Sequence, residues 1–312
     1  GWGEALLVAA CLTPTDAGLA ADVISNPAMP PRVARALNVE SGVNDGLVAP
    51  IVALAIAGTA EAGANASGFV VTAAEELAKG AVAGLAAGAI CAFLVLAALR
   101  RGRLAAEADS IAVLAVAGLA YFSALAVEGN GFVAAFLAGL VFGRARRKFE
   151  PAAFEFTEQA GQVLGMFVWF ILGAAVLRPA LRAADWRVVL FAVLVLTVAR
   201  MIPVALSLIG SGMDRTTVVF MGWFGPRGLA SIVFGLLALD ALGRAGASIL
   251  VAIAITVLAS VVLHGLTANP LVARYRRHLD ALDHDHPALA AAESPTGRRT
   301  LGAARRQRAT DA

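Results

Sequence analysis

Charge is scarce in this chain. Of its 312 residues 15% are Asp, Glu, Lys or Arg and 59% are hydrophobic, with a mean hydropathy of +0.78. A soluble domain carries about 25% charged residues, so an ordinary water-soluble globule is excluded. Cysteine is nearly missing as well. Cys11 and Cys91 both lie in apolar stretches without metal-ligand spacing. That excludes a disulfide framework and a zinc site and leaves two small buried hydrophobes. No segment has the layout of a cleavable signal peptide. The chain begins with Gly1 and enters an apolar stretch almost at once; it is expected to be a fragment of a longer protein.

What is present is a series of long apolar runs. A membrane-spanning helix needs about 20 mostly apolar residues. Nine candidate spans meet that description: 3–24, 35–60, 69–99, 109–127, 129–143, 160–177, 186–209, 217–241 and 246–267. The expected fold class is therefore an all-α integral membrane protein in a lipid bilayer. Basic residues are missing from the 61–68 and 128–130 loops, whereas Arg32, Arg35, Arg100, Arg101, Arg103, Arg144, Arg146, Arg147, Lys148 and Arg215 fall on the other side. Arg178, Arg182, Arg187 and Arg244 run against the bias. The positive-inside rule places the first group in the cytoplasm, with Gly1 outside. The transmembrane domain is expected to span 1–273. A basic tail over 274–312 follows, without apolar periodicity, and reads as a disordered or loosely helical cytoplasmic extension. Arg298-Arg299 and Arg305-Arg306 fit attraction to a membrane surface or plain solubility better than nucleic-acid binding. His284-Asp285-His286 reads as a solvated polar stretch and not as a metal site.

Three polar interruptions break the apolar runs. In Glu40-Ser41-Gly42-Val43-Asn44-Asp45-Gly46, helical spacing stacks Glu40 on Asn44 and Ser41 on Asp45. A charge at the bilayer centre costs about 2.5–3.5 kcal/mol on insertion scales. The carboxylates, hydroxyl and amide are hard oxygen ligands suited to a small cation or a proton. In Thr13-Pro14-Thr15-Asp16, Pro14 cannot donate to the Ala10 carbonyl, and an acid stands at the same depth. This is the composition of an unwound helix lining a cavity. In Gly225-Pro226-Arg227-Gly228, Pro226 frees the Gly222 carbonyl between glycines that tolerate non-helical dihedrals. Paired Gly/Pro-interrupted helices point to a binding site at the midplane of a secondary transporter. Arg200 and Arg227 are cations inside apolar spans, and both stay charged. Glu40 is the natural partner of one of them; the alternative for each is to cap helix carbonyls. Asp45, with or without Asp16, then remains free to titrate.

These motifs resemble the monovalent cation:proton antiporter family, of the bacterial NhaP and eukaryotic NHE type. Leu12-Thr13-Pro14-Thr15-Asp16 resembles its Thr-Asp-Pro element, and Glu40 to Gly46 its Glu-Ser-Gly-x-Asn-Asp element. Gly131-Phe132-Val133-Ala134-Ala135-Phe136-Leu137-Ala138-Gly139-Leu140 and Gly225-Pro226-Arg227-Gly228 are similar to further family segments. The likeness runs from Gly1 to about Arg274. It implies an inverted-repeat antiporter fold with broken, crossing helices and about thirteen spans, so that about four N-terminal ones precede this chain. It implies Asp45 as the carrier of ion and proton, and Asn44 before it as the mark of electroneutral exchange. Thr15 and Asp16 match the Thr-Asp pair, and Ser41 the cation-coordinating serine. The Glu–Arg ion pair matches Glu40 with an arginine, Arg200 better than Arg227. One departure is that the family's Thr-Asp-Pro reads Thr15-Asp16-Ala17, so the helix break rests on Pro14.

The resemblance implies a Na⁺/H⁺ antiporter of the plasma membrane, homodimeric in its full-length form and serving sodium transport and pH homeostasis. Competition at one carboxylate is the expected mechanism. Asp45 binds a proton or a Na⁺-sized cation (K⁺ and Li⁺ are the alternatives), with Ser41, the Thr15 backbone carbonyl and Asp16 as further oxygen ligands. No enzymatic chemistry and no cofactor beyond the transported ions is expected. A non-transporting membrane subunit retaining the same fold is the alternative. A cation channel fits less well, because Arg227 beside the pathway would repel cations.

Overall fold

The computed structural model describes residues 2–24, 26, 29–60, 66–102, 106–145 and 152–282. Among them there is no strand. The helices are α1 (Trp2–Cys11), α2 (Ala21–Ile24), α3 (Pro31–Ala60), α4 (Ala66–Arg100), α5 (Ala106–Ala126), α6 (Gly131–Ala145) and α7 (Ala152–Ile171). A π-helical turn (Leu172–Leu177) leads into α8 (Arg178–Ala183). Then come α9 (Trp186–Leu196), α10 (Val198–Ser207), α11 (Arg215–Trp223), α12 (Leu229–Leu242) and α13 (Arg244–Leu279).

Local chemistry sets these boundaries. Pro31 opens α3, where a missing amide hydrogen costs nothing. Asp185 caps α9 by accepting from the amides of Arg187 and Val188 at 3.0 Å each. Asp214 caps α11 through the amides of Thr216 and Thr217, at 2.9 and 3.2 Å. Gly243, at φ +55°, ends α12 in the left-handed region.

Five stretches are long and apolar enough to cross a membrane: Pro31–Thr59, Ala74–Arg100, Gln159–Ala183, Trp186–Ser207 and Arg244–Leu279. Trp2–Cys11, Ile111–Ala126, Gly131–Ala145 and Leu229–Leu242 are shorter apolar helices. Large side chains such as Phe93, Phe122 and Phe170 stand about 70% exposed, which suits an apolar solvent and not water.

Three differences from the sequence reading have physical causes. The expected span 3–24 is not one helix, because α1 stops at Cys11 ahead of Pro14. The expected span 160–177 runs on to Ala183 through the π-helical turn. The last expected span, 246–267, lies in a helix that runs on to Leu279, with Tyr275 and Leu279 buried. Tyr275 stacks on Phe220 with centroids 4.1 Å apart and shares a 2.9 Å hydrogen bond with Thr217. Gly1, His284-Asp285-His286 and the basic pairs after them lie outside the described residues.

Two groups of helices frame the interior. In one, α4, α5 and α6 pack round Ala92, Val116, Ala120, Ala134, Ala138 and Phe142. Gly88 faces the α6 backbone so closely that a Cβ would stand 2.7 Å from the Cα of Ala138; Gly80 and Gly84 face Asn130 and Ala134 in the same way. A small residue every fourth position lets the two backbones meet. In the other group, α1, α3, α12 and α13 share a core that includes Leu7, Val52, Ile232 and Ile253. The breaks after α1 and before α12 fall inside this second group.

Candidate ion-binding site

The two interrupted segments meet. The Asp16 amide donates to the Pro226 carbonyl at 2.8 Å, so each broken chain partly satisfies the other. Unwound backbone inside apolar surroundings is tolerable only when such groups find partners.

Opposite ends of the broken helices receive opposite charges. Asp16 Oδ2 accepts from the Leu229 amide, the first residue of α12, at 2.9 Å. Its Oδ1 accepts from the amides of Gly18 and Leu19 at 2.8 and 3.1 Å. A carboxylate at helix N-terminal amides complements their partial positive charge. Arg227 does the converse. Its Nη1 donates to the carbonyls of Thr13, Pro14 and Gly225 at 3.3, 3.5 and 3.4 Å, where α1 and α11 have ended. Its own amide donates to Ser260 Oγ at 2.8 Å. Arg227 is 5% exposed, so these carbonyls take the place of water.

Glu40 faces the other buried cation. Arg200 Nη2 donates to Glu40 Oε2 at 2.9 Å and Nη1 donates to Oε1, a two-pronged pair. Nη2 also reaches the Met221 carbonyl at 3.5 Å. The sequence left both arginines open as ion-pair partners. Among the described residues Arg227 forms no ion pair and holds carbonyls instead, because the break places three of them round its guanidinium.

The polar face of α3 divides its work. Asn44 turns to the α1 extension, where its Nδ2 donates to Thr15 Oγ1 at 2.9 Å and its Oδ1 lies 3.5 Å from the Thr15 amide. Ser41 Oγ shares a 3.0 Å hydrogen bond with Thr15 Oγ1. Ser41 and Thr15 are both buried. Asp45 is different. Its Oδ1 is buried and has no hydrogen-bond partner among the described residues. Such an orphan acceptor costs about 1–3 kcal/mol until something satisfies it.

Asp45 opens onto a cavity of about 510 Å³, lined also by Thr15, Asp16, Asn38, Ser41 and Phe132. Asn44, Glu40, Arg200 and Arg227 do not line it. Phe132 comes from α6, Thr15 and Asp16 from the segment after α1, Asn38, Ser41 and Asp45 from α3, and Leu229 and Phe234 from α12, so the cavity lies where the two helix groups adjoin. Among the described residues no cluster of three His, Cys, Asp or Glu side chains exists. Any cation here would meet one or two carboxylates with hydroxyl and carbonyl oxygens, a ligand set for a hard ion.

The family model for the transmembrane sodium/hydrogen exchanger matches residues 1–274. The chain belongs to that family. Two K⁺/H⁺ antiporters are similar in sequence. NhaP2 of Shewanella sp. (strain MR-4) is 26% identical over 239 residues, 74% of this chain and 40% of its own length. NhaP of Alkalimonas amylolytica is 25% identical over 237 residues, covering 75% and 41%. The chain thus spans less than half the length of these curated relatives. Among solved structures, the sodium proton antiporter MjNhaP1 of Methanocaldococcus jannaschii at pH 8 superposes with a TM-score of 0.70. It is 20% identical, with 88% of this chain and 71% of that one covered. Over the part covered, the chain shares the fold of that antiporter.

Several residues round the candidate site escaped the sequence reading. Asn38 lines the cavity; it stands three and seven residues before Ser41 and Asp45, a spacing that puts all three on one face. Ser260 and His264 buttress the break before α12. His264 Nε2 lies 2.8 Å from the Trp223 carbonyl and its Nδ1 2.8 Å from the Ser260 carbonyl. The signal for them is polar residues every fourth position, Thr256-Ser260-His264, in an otherwise apolar helix. Gly225 and Gly228 matter for room as much as for dihedrals: a Cβ on Gly225 would strike the Arg200 guanidinium, and one on Gly228 the Asp16 carboxylate.

Proposed function

We propose that this protein exchanges a monovalent cation for a proton across the membrane, with Asp45 as the shared carrier. One observation carries the reading. Among the described residues, Asp45 alone of the interior acids presents a buried carboxylate oxygen without a partner to the cavity. Asp16 is held by three amides and Glu40 by Arg200. A proton or a cation satisfies the orphan oxygen equally well, and binding one excludes the other. The cation's further ligands are Ser41, the Thr15 carbonyl and Asp16, while Asn44 holds Thr15 in place. Alternating access would follow from movement of the helices carrying Asp45 past the α4–α6 group, whose Phe132 forms the facing wall.

The rest of the reading follows the family. The nine apolar segments cross the bilayer, with Trp2–Cys11 and Leu229–Leu242 completed by the broken segments beside them. The basic loops and the chain after α13 lie in the cytoplasm, the membrane is the plasma membrane, and the full-length protein is a homodimer. The protein is a carrier and not an enzyme, and it needs no cofactor. The printed names of the relatives include both K⁺/H⁺ and sodium proton antiporters, so both ions are candidates for transport.

The test is proton flux in proteoliposomes holding the protein, driven by Na⁺ or K⁺ gradients, beside Asp45→Asn. The variant should fold, give an unchanged elution profile in detergent, and exchange neither ion. Near wild-type exchange by Asp45→Asn would remove Asp45 from the mechanism.

A further inference from the structure

We propose that a groove between α10, α11 and α13, away from the ion cavity, binds an anionic phospholipid. The groove has a volume of about 550 Å³, and its wall includes Met201, Val219, Trp223 and Leu271 together with Arg215 and Arg274. Thr217 bonds to Tyr275 and Trp223 to Thr267, so α11 and α13 run antiparallel. That register puts Arg215, the first residue of α11, and Arg274, near the end of α13, at the same end of the groove. The apolar wall runs from there toward Trp223.

Charge makes this groove selective. Arg215 and Arg274 are both exposed, and neither forms an ion pair among the described residues. The acid beside them, Asp214, is already engaged. It accepts from the amides of Thr216 and Thr217, from the Thr217 hydroxyl and from His278. Among the described residues, then, neither guanidinium has a carboxylate partner. Guanidinium matches the oxygens of a phosphate with paired, charge-assisted hydrogen bonds. The wall below is apolar, with Val219 56% exposed, and it follows α11 away from the charged end as far as Trp223. Charge at one end and an apolar trough beyond it describe an amphipathic anion. Arg215 belongs to the loops richest in basic residues, the side that faces anionic lipid in a cell membrane.

The experiment uses the full chain, delipidated in a neutral detergent. The probes are dioleoylphosphatidylglycerol, dioleoylphosphatidylcholine and glycerol 3-phosphate, read by melting temperature and by retained mass in native mass spectrometry. Phosphatidylglycerol should raise the melting temperature and stay bound; the other two should do neither. Arg215→Gln with Arg274→Gln should weaken phosphatidylglycerol binding about tenfold, the loss expected for charge-assisted bonds. Leu271→Trp fills the trough with both arginines intact and should weaken it too. Arg100→Gln with Arg101→Gln, basic residues outside the groove, should bind as the wild type does. An equal response to glycerol 3-phosphate would mean a free-anion site and overturn the lipid assignment. Undiminished phosphatidylglycerol binding by Leu271→Trp would overturn it as well, whether or not the double arginine variant folds.

Discussion

The Asp16 carboxylate occupies the space that a Cβ on Gly228 would need, and from there it accepts the Leu229 amide at 2.9 Å. The glycine and the acid are 212 residues apart and fit as a pair. Gly228→Ala should therefore push Asp16 off the start of α12. Overpacking of this kind costs about 1–3 kcal/mol, with the lost cap in addition. The melting temperature in detergent should fall clearly for Gly228→Ala and hardly at all for Gly42→Ala, since nothing lies within 4 Å of a Cβ at Gly42. Equal melting temperatures would show that Asp16 is not anchored there.

Exchange should be indifferent to membrane voltage. Asn44 cannot titrate, and its side chain is committed to Thr15. With Asp45 alone cycling, one proton replaces one monovalent cation and no net charge crosses. Proteoliposomes clamped at opposite diffusion potentials should show the same initial rate of cation-driven proton flux. A rate that changes with the sign of the potential would require a second titrating group, with Asp16 the first to examine.

Much of this site was legible before any coordinates, but unevenly. Helical spacing alone puts Ser41 and Asp45 on one face, and Pro14 and Pro226 mark the breaks because a missing amide hydrogen is a local property. Partner choice was not local. Glu40 had two candidate arginines, and only the packing of α3 against α10 and α11 gives it Arg200 and leaves Arg227 to the carbonyls. Asp16 read as a candidate ligand from its place in an apolar run; what that reading could not supply is the three amides that position it, one of them from a helix more than 200 residues away. The end of the last helix was set too early for the same reason. Arg274, Arg276 and Arg277 look like a solvated tail until Phe220 and Thr217 are brought against Tyr275.

The cap of α11 should make the protein sensitive to strong acid. Burial alone would push the Asp214 carboxyl upward. The hydrogen bonds from the Thr217 hydroxyl and amide and from His278 outweigh it and hold the group down at about 2, from 3.8. A carboxyl lowered by folding stabilises the protein fully above its unfolded value. That contribution drains away as pH falls from 3.8 toward 2. Asp214→Asn should therefore be less stable than wild type at neutral pH, and the gap should narrow across that acid window. Melting curves in detergent at stepped pH would show it; a gap independent of pH would mean that the charge on Asp214 does not matter.

The buried pair of Glu40 and Arg200 should behave as a coupled unit, and Arg227 should not join it. Removing one partner of a buried pair leaves the other charge uncompensated, at a cost of about 3–5 kcal/mol. Glu40 keeps 34% of its side-chain surface, so the lower end of that range is expected for Glu40→Gln. Arg200→Ala should cost at least as much, because it also empties the space that Gly225 leaves for the guanidinium. In the double variant neither charge is stranded, so its loss should fall well short of the two singles added together. The parallel cycle of Glu40→Gln with Arg227→Ala should be close to additive, because Arg227 is held by the carbonyls of Thr13, Pro14 and Gly225. Melting temperatures of the five variants and the wild type, in one detergent and at one pH, complete both cycles. Strong coupling to Arg227 with none to Arg200 would reverse the assignment of the pair.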